Sequence, residues 1–180
     1  MKDTSIMKNE MLQKLEEALQ LFTDIADQTE KWKSLYIDYE PPTVERVYTD
    51  LQNGTRLSLH IIHPCDEGEA FFHPHPWPSA MYLVSGSYRM EIGYGAGVVA
   101  PDIAATTILS SGSYYEMSHP DAWHSVQPLT EVHSVMISGP TWSREIPKTP
   151  EKRLNPLSEK RVEEIITEFK ASLATRTALL

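Results

Sequence analysis

Between Phe71 and Pro78 the chain reads Phe71, Phe72, His73, Pro74, His75, Pro76, Trp77, Pro78. Each proline fixes φ at about −65° and lacks an N–H, so this stretch is stiff and extended. It cannot be a fully paired central strand. Residues two apart on an extended chain share a face, which puts Phe71, His73, His75 and Trp77 on one side and the prolines on the other. Two imidazoles about 7 Å apart at Cβ can lean onto one ion. Preorganised ligands and a plain edge segment both fit such prolines.

The pattern around this stretch changes twice. From Ser5 to Lys33 the residues Met7, Met11, Leu12, Leu15, Leu19, Phe22 and Ile25 recur at spacings of three and four, which predicts one amphipathic helix. Pro41 and Pro42 end any helix. From there to Pro140 the chain reads as short strands and turns. Runs rich in β-branched, aromatic and apolar residues lie at 44–49, 55–63, 81–84, 87–94, 106–109 and 132–138. Asn53-Gly54 is a hairpin signal, and 94–97 reads as a hairpin loop. A polar connector follows from Ser143 to Arg153. A last helix is expected to start with Asn155 as N-cap and Pro156 at its first turn, with Val162, Ile165, Ile166, Phe169 and Leu173 as its apolar stripe. The expected division is a helical extension over 1–40, an all-β sandwich, barrel or jelly roll over 41–142, and a connector with a C-terminal helix over 143–180.

With 180 residues and 41% hydrophobic residues, one domain with a real core is expected. The net charge of −9 and the lack of a basic stripe argue against nucleic acid as a partner. No run approaches the length of a membrane span, and the N-terminal residues do not resemble a signal peptide. Cys65 is the single cysteine, which fits a reducing compartment. The expectation is a soluble, cytoplasmic protein with a small-molecule substrate. The helices and barrel edges make a homodimer plausible.

A third histidine follows the stretch from Gly112. A turn, a short strand and a corner at Pro120 lead to His124, which can bring its imidazole in from a different strand. Neutral imidazole is a common metal ligand, and three leave positions open for water, substrate or dioxygen.

On these residues the sequence resembles the cupins. Their first motif runs from a glycine through His-x-His, usually a glutamate, to a second glycine, and Gly68, His73, His75 and Gly86 match it. Their second motif runs from a glycine through a corner to a histidine, and Gly112, Pro120 and His124 match it. The resemblance covers about Val44 to Pro140. It implies a double-stranded β-helix with one divalent metal ion held in the barrel by His73, His75 and His124. The usual glutamate would fall near Ser79, Ala80 or Met81, and no carboxylate lies between Pro76 and Arg89. The site is therefore similar to that of three-histidine thiol and β-diketone dioxygenases, which use non-haem Fe(II). Three neutral ligands leave the metal its full charge, which favours an anionic thiolate or enolate beside it.

Other residues divide between function and framework. Phe71, Trp77, Met81 and Trp123 can line a substrate pocket, although barrel core is the default for each. His119 is a candidate fourth ligand, with an outer or exposed position favoured. His60, His63 and His133 read as ordinary histidines. Arg46, Arg56 and Arg89 can each clamp a carboxylate, with a surface position expected. Tyr88, Met90, Ile92 and Tyr94 alternate as a half-buried strand. Iron is the favoured metal, with Zn, Mn or Ni as alternatives. The leading function is a dioxygenase. The rivals are a non-oxidative isomerase, lyase or hydrolase, and a non-catalytic barrel that binds a small molecule.

Overall fold

The computed structural model describes residues 10–52, 54–145, 147 and 154–177. Its centre is a pair of antiparallel sheets, a jelly roll with helices on one side, as the strand pattern predicts. The first sheet holds six strands. These are β1 (Lys33–Ile37), β2 (Val44–Asp50), β3 (Arg56–Ile62), β5 (Ser79–Ser85), β8 (Tyr114–Met117) and β10 (Val132–Ser138), in the order β1-β2-β3-β10-β5-β8. The second sheet runs β4-β9-β6-β7, from β4 (His73–Pro74), β6 (Ser87–Tyr94), β7 (Ala105–Ser110) and β9 (Ala122–Pro128).

The six-stranded sheet is buried on both faces, which explains why β3, β5 and β10 read as nearly continuous buried runs. One face carries Val47, Leu57, Leu59, Ile61, Ala80, Tyr82, Val135 and Ile137. It packs on helices α1 (Glu10–Gln20), α2 (Phe22–Ala26) and α3 (Glu159–Thr177) through Leu15, Phe22, Ile165 and Phe169. The opposite face supplies Ile62, Met81, Leu83, Val132 and Met136 to the space between the sheets. There they meet Tyr88 and Met90 from the second sheet, with Ile92 and Val126 alongside. Tyr88, Met90 and Ile92 thus fill the barrel, as their alternation predicts, whereas Tyr94 is exposed.

Four expectations are corrected. The predicted helix over 5–33 is shorter and broken. Residues 1–9 lie outside the described ones, α1 and α2 end by Ala26, and a 3-10 turn spans Thr29–Lys31. Lys33–Ile37 is a strand paired with β2, so the sheet begins inside the region expected to be a helical extension. Trp32, 8% exposed, is anchored in the core just before it, and such tertiary pairing overrides a helical stripe. Asn155 does not cap the last helix. Its carbonyl accepts from the Tyr36 N–H at 2.8 Å, zipping the connector onto the outer edge of β1. Ser158 is the cap, its Oγ accepting from the Arg161 N–H at 3.2 Å. The loop after Tyr94 is longer than the hairpin predicted at 94–97 and runs to Ala105.

Of the Asn53-Gly54 hairpin, Gly54 is described, with φ of 76°, while Asn53 lies outside the described residues. Among the described residues, no helix is long and apolar enough to cross a membrane.

Candidate metal centre

The proline-bearing stretch lies on the edge of the second sheet, where missing N–H groups cost no ladder bond. Only His73 and Pro74 pair, opposite His124 and Trp123 of β9. Beyond them the free carbonyls still accept bonds: Pro76 from the Trp142 N–H at 2.7 Å, and Pro78 from the Gly139 N–H at 2.9 Å. Both ends of the stretch are therefore fixed to the sandwich, and the histidines are held with it.

The structure brings His73, His75 and His124 together. One nitrogen from each lies within 4.8 Å of the others, and no carboxylate or thiol joins them among the described residues. His75 and His124 meet edge to face, with ring centroids 4.6 Å apart, and His73 stands 5.0 to 5.2 Å from both. The His75 and His124 Nε2 atoms are 3.0 Å apart. Two bonds of about 2.1 Å meeting at a cation at a right angle span that distance.

The second nitrogens orient two of the rings. His73 Nδ1 donates to the Phe71 carbonyl at 2.9 Å, which leaves its Nε2 lone pair for a ligand. His75 Nδ1 is 3.5 Å from Ser79 Oγ. Ser79 therefore occupies the region where a ligating glutamate was expected, with a side chain too short to reach a metal. His124 is 3% exposed, and its Nδ1 has no partner among the described residues.

Burial holds His73 below its ordinary pKa and His75 and His124 well below it. The neighbouring rings add to the effect on His75 and His124. All three are neutral at pH 7, the form that binds metal. Three neutral imidazole nitrogens converging on one point fit a divalent cation.

The remaining candidates separate by face. Phe71 stacks on His73, with centroids 5.0 Å apart and planes 4° from parallel. Trp77 lies 5.8 Å from His75 and lines a cavity of about 470 Å³. Met81 is interior core beside Met136, Leu83 and Tyr88.

Trp123 does not line the site. It alternates with His124, so it points to the outer face of β9. There it packs against Phe72 and under Arg144, and its Nε1 donates to the Gly95 carbonyl at 2.8 Å. His119 is exposed and outside the cluster, with its Nδ1 accepting from the Asp121 N–H at 3.1 Å, so it is neither a ligand nor a support for one. His63 and His133 stand near Glu131, and His133 also stacks on Phe169.

Arg56 and Arg89 are surface residues paired with acids, as expected. Arg46 is not. It shares the inward face of β2 with Val44 and Tyr48 and donates from Nε to His60 Nε2 at 2.8 Å. The period-2 pattern marked two faces of β2, but nothing in the sequence told which one helices would cover.

No protein-family model matches the chain, and no curated protein matches it. Among solved structures, hydroxypropylphosphonic acid epoxidase from S. wedmorenis is similar with a TM-score of 0.46 at 12% identity, over 62% of this chain and 56% of that one. KdgF from Halomonas sp. has a TM-score of 0.43 at 16% identity, over 58% of this chain and 87% of that one. Oxalate decarboxylase from Bacillus subtilis has a TM-score of 0.43 at 13% identity, over 59% and 27%. The matched region spans about half the length of the epoxidase chains. Likeness at this level carries no metal, substrate or reaction over to this chain.

Proposed function

We propose that this chain is a metal-dependent enzyme that holds one divalent ion, iron in the first instance, on His73, His75 and His124. Its reaction is the dioxygenation of a small anionic substrate, a thiol or a β-dicarbonyl. The observation that carries the reading is the convergence of three neutral imidazoles with no carboxylate among them. When bound, Fe(II) supplies the redox chemistry that activates dioxygen, which amino-acid side chains lack. The chain's own part is to position and to exclude water. Phe71 and Trp77 flank the histidines with aromatic faces. Met81, Met136, Leu83 and Tyr88 close the barrel behind them. In so apolar a setting an anion is held more strongly by nearby positive charge than it is in water.

The test is oxygen uptake by the iron-loaded protein with a panel of thiols and β-dicarbonyls. The expected result is substrate-dependent uptake that disappears in His75→Ala. Full occupancy by zinc as isolated, with no uptake on any member of the panel after iron loading, overturns the dioxygenase reading. Anaerobic turnover with Zn, Mn or Ni would replace it with a non-oxidative enzyme.

A further inference from the structure

The six-stranded sheet carries a second group of potential metal ligands. It lies on the helix-covered face, at the opposite end of β10 from Ser138 and the cavity beside Trp77. Ile62 and Val132 are the last paired residues of β3 and β10 at this end, and both point into the barrel. His63 and Glu131 come one step beyond that pair and so turn outward, as does His133. Glu45 of β2 and Arg161 and Phe169 of α3 complete the surroundings.

Glu131 stands between the two imidazoles. One of its oxygens is 3.3 Å from His63 Nδ1, and the other is 3.3 Å from His133 Nε2. The second nitrogen of His63, Nε2, is 3.5 Å from Glu45, a carboxylate that Arg161 holds by both oxygens. A neutral imidazole has one N–H. His63 can donate to one of these carboxylates only, and its lone pair then faces an oxygen of the other. That opposition calls for a cation, either a second proton on the ring or a metal ion.

A metal ion answers more of the arrangement than a proton does. With Nε2–H given to Glu45, His63 presents Nδ1 to the ion, and a carboxylate behind a ligating histidine is what orients it. The ring of His133 is set by its stack on Phe169, with centroids 5.6 Å apart and planes 21° from parallel. Two bonds of about 2.1 Å at a tetrahedral angle hold their ligand atoms about 3.4 Å apart. Both contacts of Glu131 are close to that span. The backbone relation also repeats that of the three-histidine centre. There His73 and His75 are two apart, with His124 across from His73. Here Glu131 and His133 are two apart, with His63 across from Glu131.

We infer that His63, Glu131 and His133 form a second metal site, for zinc or an ion of like preference, with water in the fourth position. Two imidazoles and one carboxylate suit zinc, whereas calcium and magnesium take oxygen ligands. The site is the weaker of the two. Its nitrogens stand at different oxygens of Glu131 and are not gathered on one point as those of the three histidines are. The Glu131 side chain, 52% exposed, must turn to bring one oxygen to both. The site therefore binds about tenfold more weakly than the three histidines, or weaker still, and empties when free metal is removed. When filled, it ties the end of β3 to the start of β10 beside α3.

The test is calorimetric titration of the metal-free protein with zinc chloride at pH 7.5. Wild type shows two classes of site. His63→Gln and Glu131→Ala each weaken the second class about tenfold or more and keep the first. His124→Ala does the reverse. Should His63→Gln fail to fold, Glu131→Ala, on an exposed side chain, carries the test. A single class in wild type that Glu131→Ala leaves unchanged overturns the inference and assigns the cation at His63 to a proton. A second class that survives both variants overturns it as well. A wild type that lacks the tighter class counts against the three histidines instead. In that case a zinc site that remains in His124→Ala and is lost in Glu131→Ala still supports the second site.

Discussion

His60 and His124 are buried and His73 and His75 are half-buried, none has a carboxylate partner among the described residues, and in each desolvation is the first cause that holds the imidazole below its ordinary pKa of 6.5. An unfolded chain takes up protons on these residues near pH 6.5, while the folded chain resists until a lower pH. The unfolded state therefore binds more protons below 6.5, and stability falls as the pH falls from there toward the folded values. Metal-free protein denatured in urea at pH 7.5 and at pH 5.5 should show a clear drop in midpoint at the lower pH. Replacing His60 with Gln should reduce that drop. A second residue-scale outcome concerns Trp123, whose ring lies on the outer face of β9. Trp123→Phe removes one hydrogen bond to Gly95 and should cost about 1 kcal/mol of stability while leaving metal content unchanged. Loss of metal in that variant would mean that the outer face supports the site more than its contacts indicate.

At the scale of elements, the turn between β5 and β6 is the tightest constraint. Gly86 has φ of 81°, and a Cβ there would press on the Glu131 carbonyl and come 2.9 Å from Val132 Cα. Gly86→Ala combines a strained backbone with backbone overlap and should cost about 2–4 kcal/mol by urea denaturation. Helix α3 is held by Phe169, 1% exposed, and by the Arg161 guanidinium on both oxygens of Glu45 at 3.0 and 2.7 Å. Phe169→Ala should cost about 3–5 kcal/mol, and a smaller loss would mean that α3 adds little to the sheet it covers. The strand pattern of β2, β3, β6 and β10 was legible because each alternates or runs apolar for at least seven residues. Strand β1 was not. Its five residues follow a helical stripe with no Gly or Pro between them, and only pairing with β2 and the carbonyl of Asn155 makes them a strand.

In the molecule as a whole, one sheet separates two apolar layers, with the helices on one side and the barrel with its histidines on the other. That arrangement decides what the sequence could and could not tell. The convergence of His73 and His75 was legible from a two-residue spacing inside an extended, proline-bound segment. The arrival of His124 opposite His73 required the cross-strand register of β4 and β9, which spacing alone does not fix. Arg46 looked like a surface residue because arginine usually is one. Its inward position follows from α3 and Glu45 covering the other face of β2.

The account depends on one cation shared by three rings. The most direct measurement is the ratio of metal to protein by elemental analysis, for wild type and for His124→Ala, each loaded with Fe(II) or Zn(II) and then freed of excess metal. About one ion per wild-type chain and almost none in the variant is the expected result. A wild-type protein that retains no divalent metal, or a variant that retains as much as wild type, would contradict it.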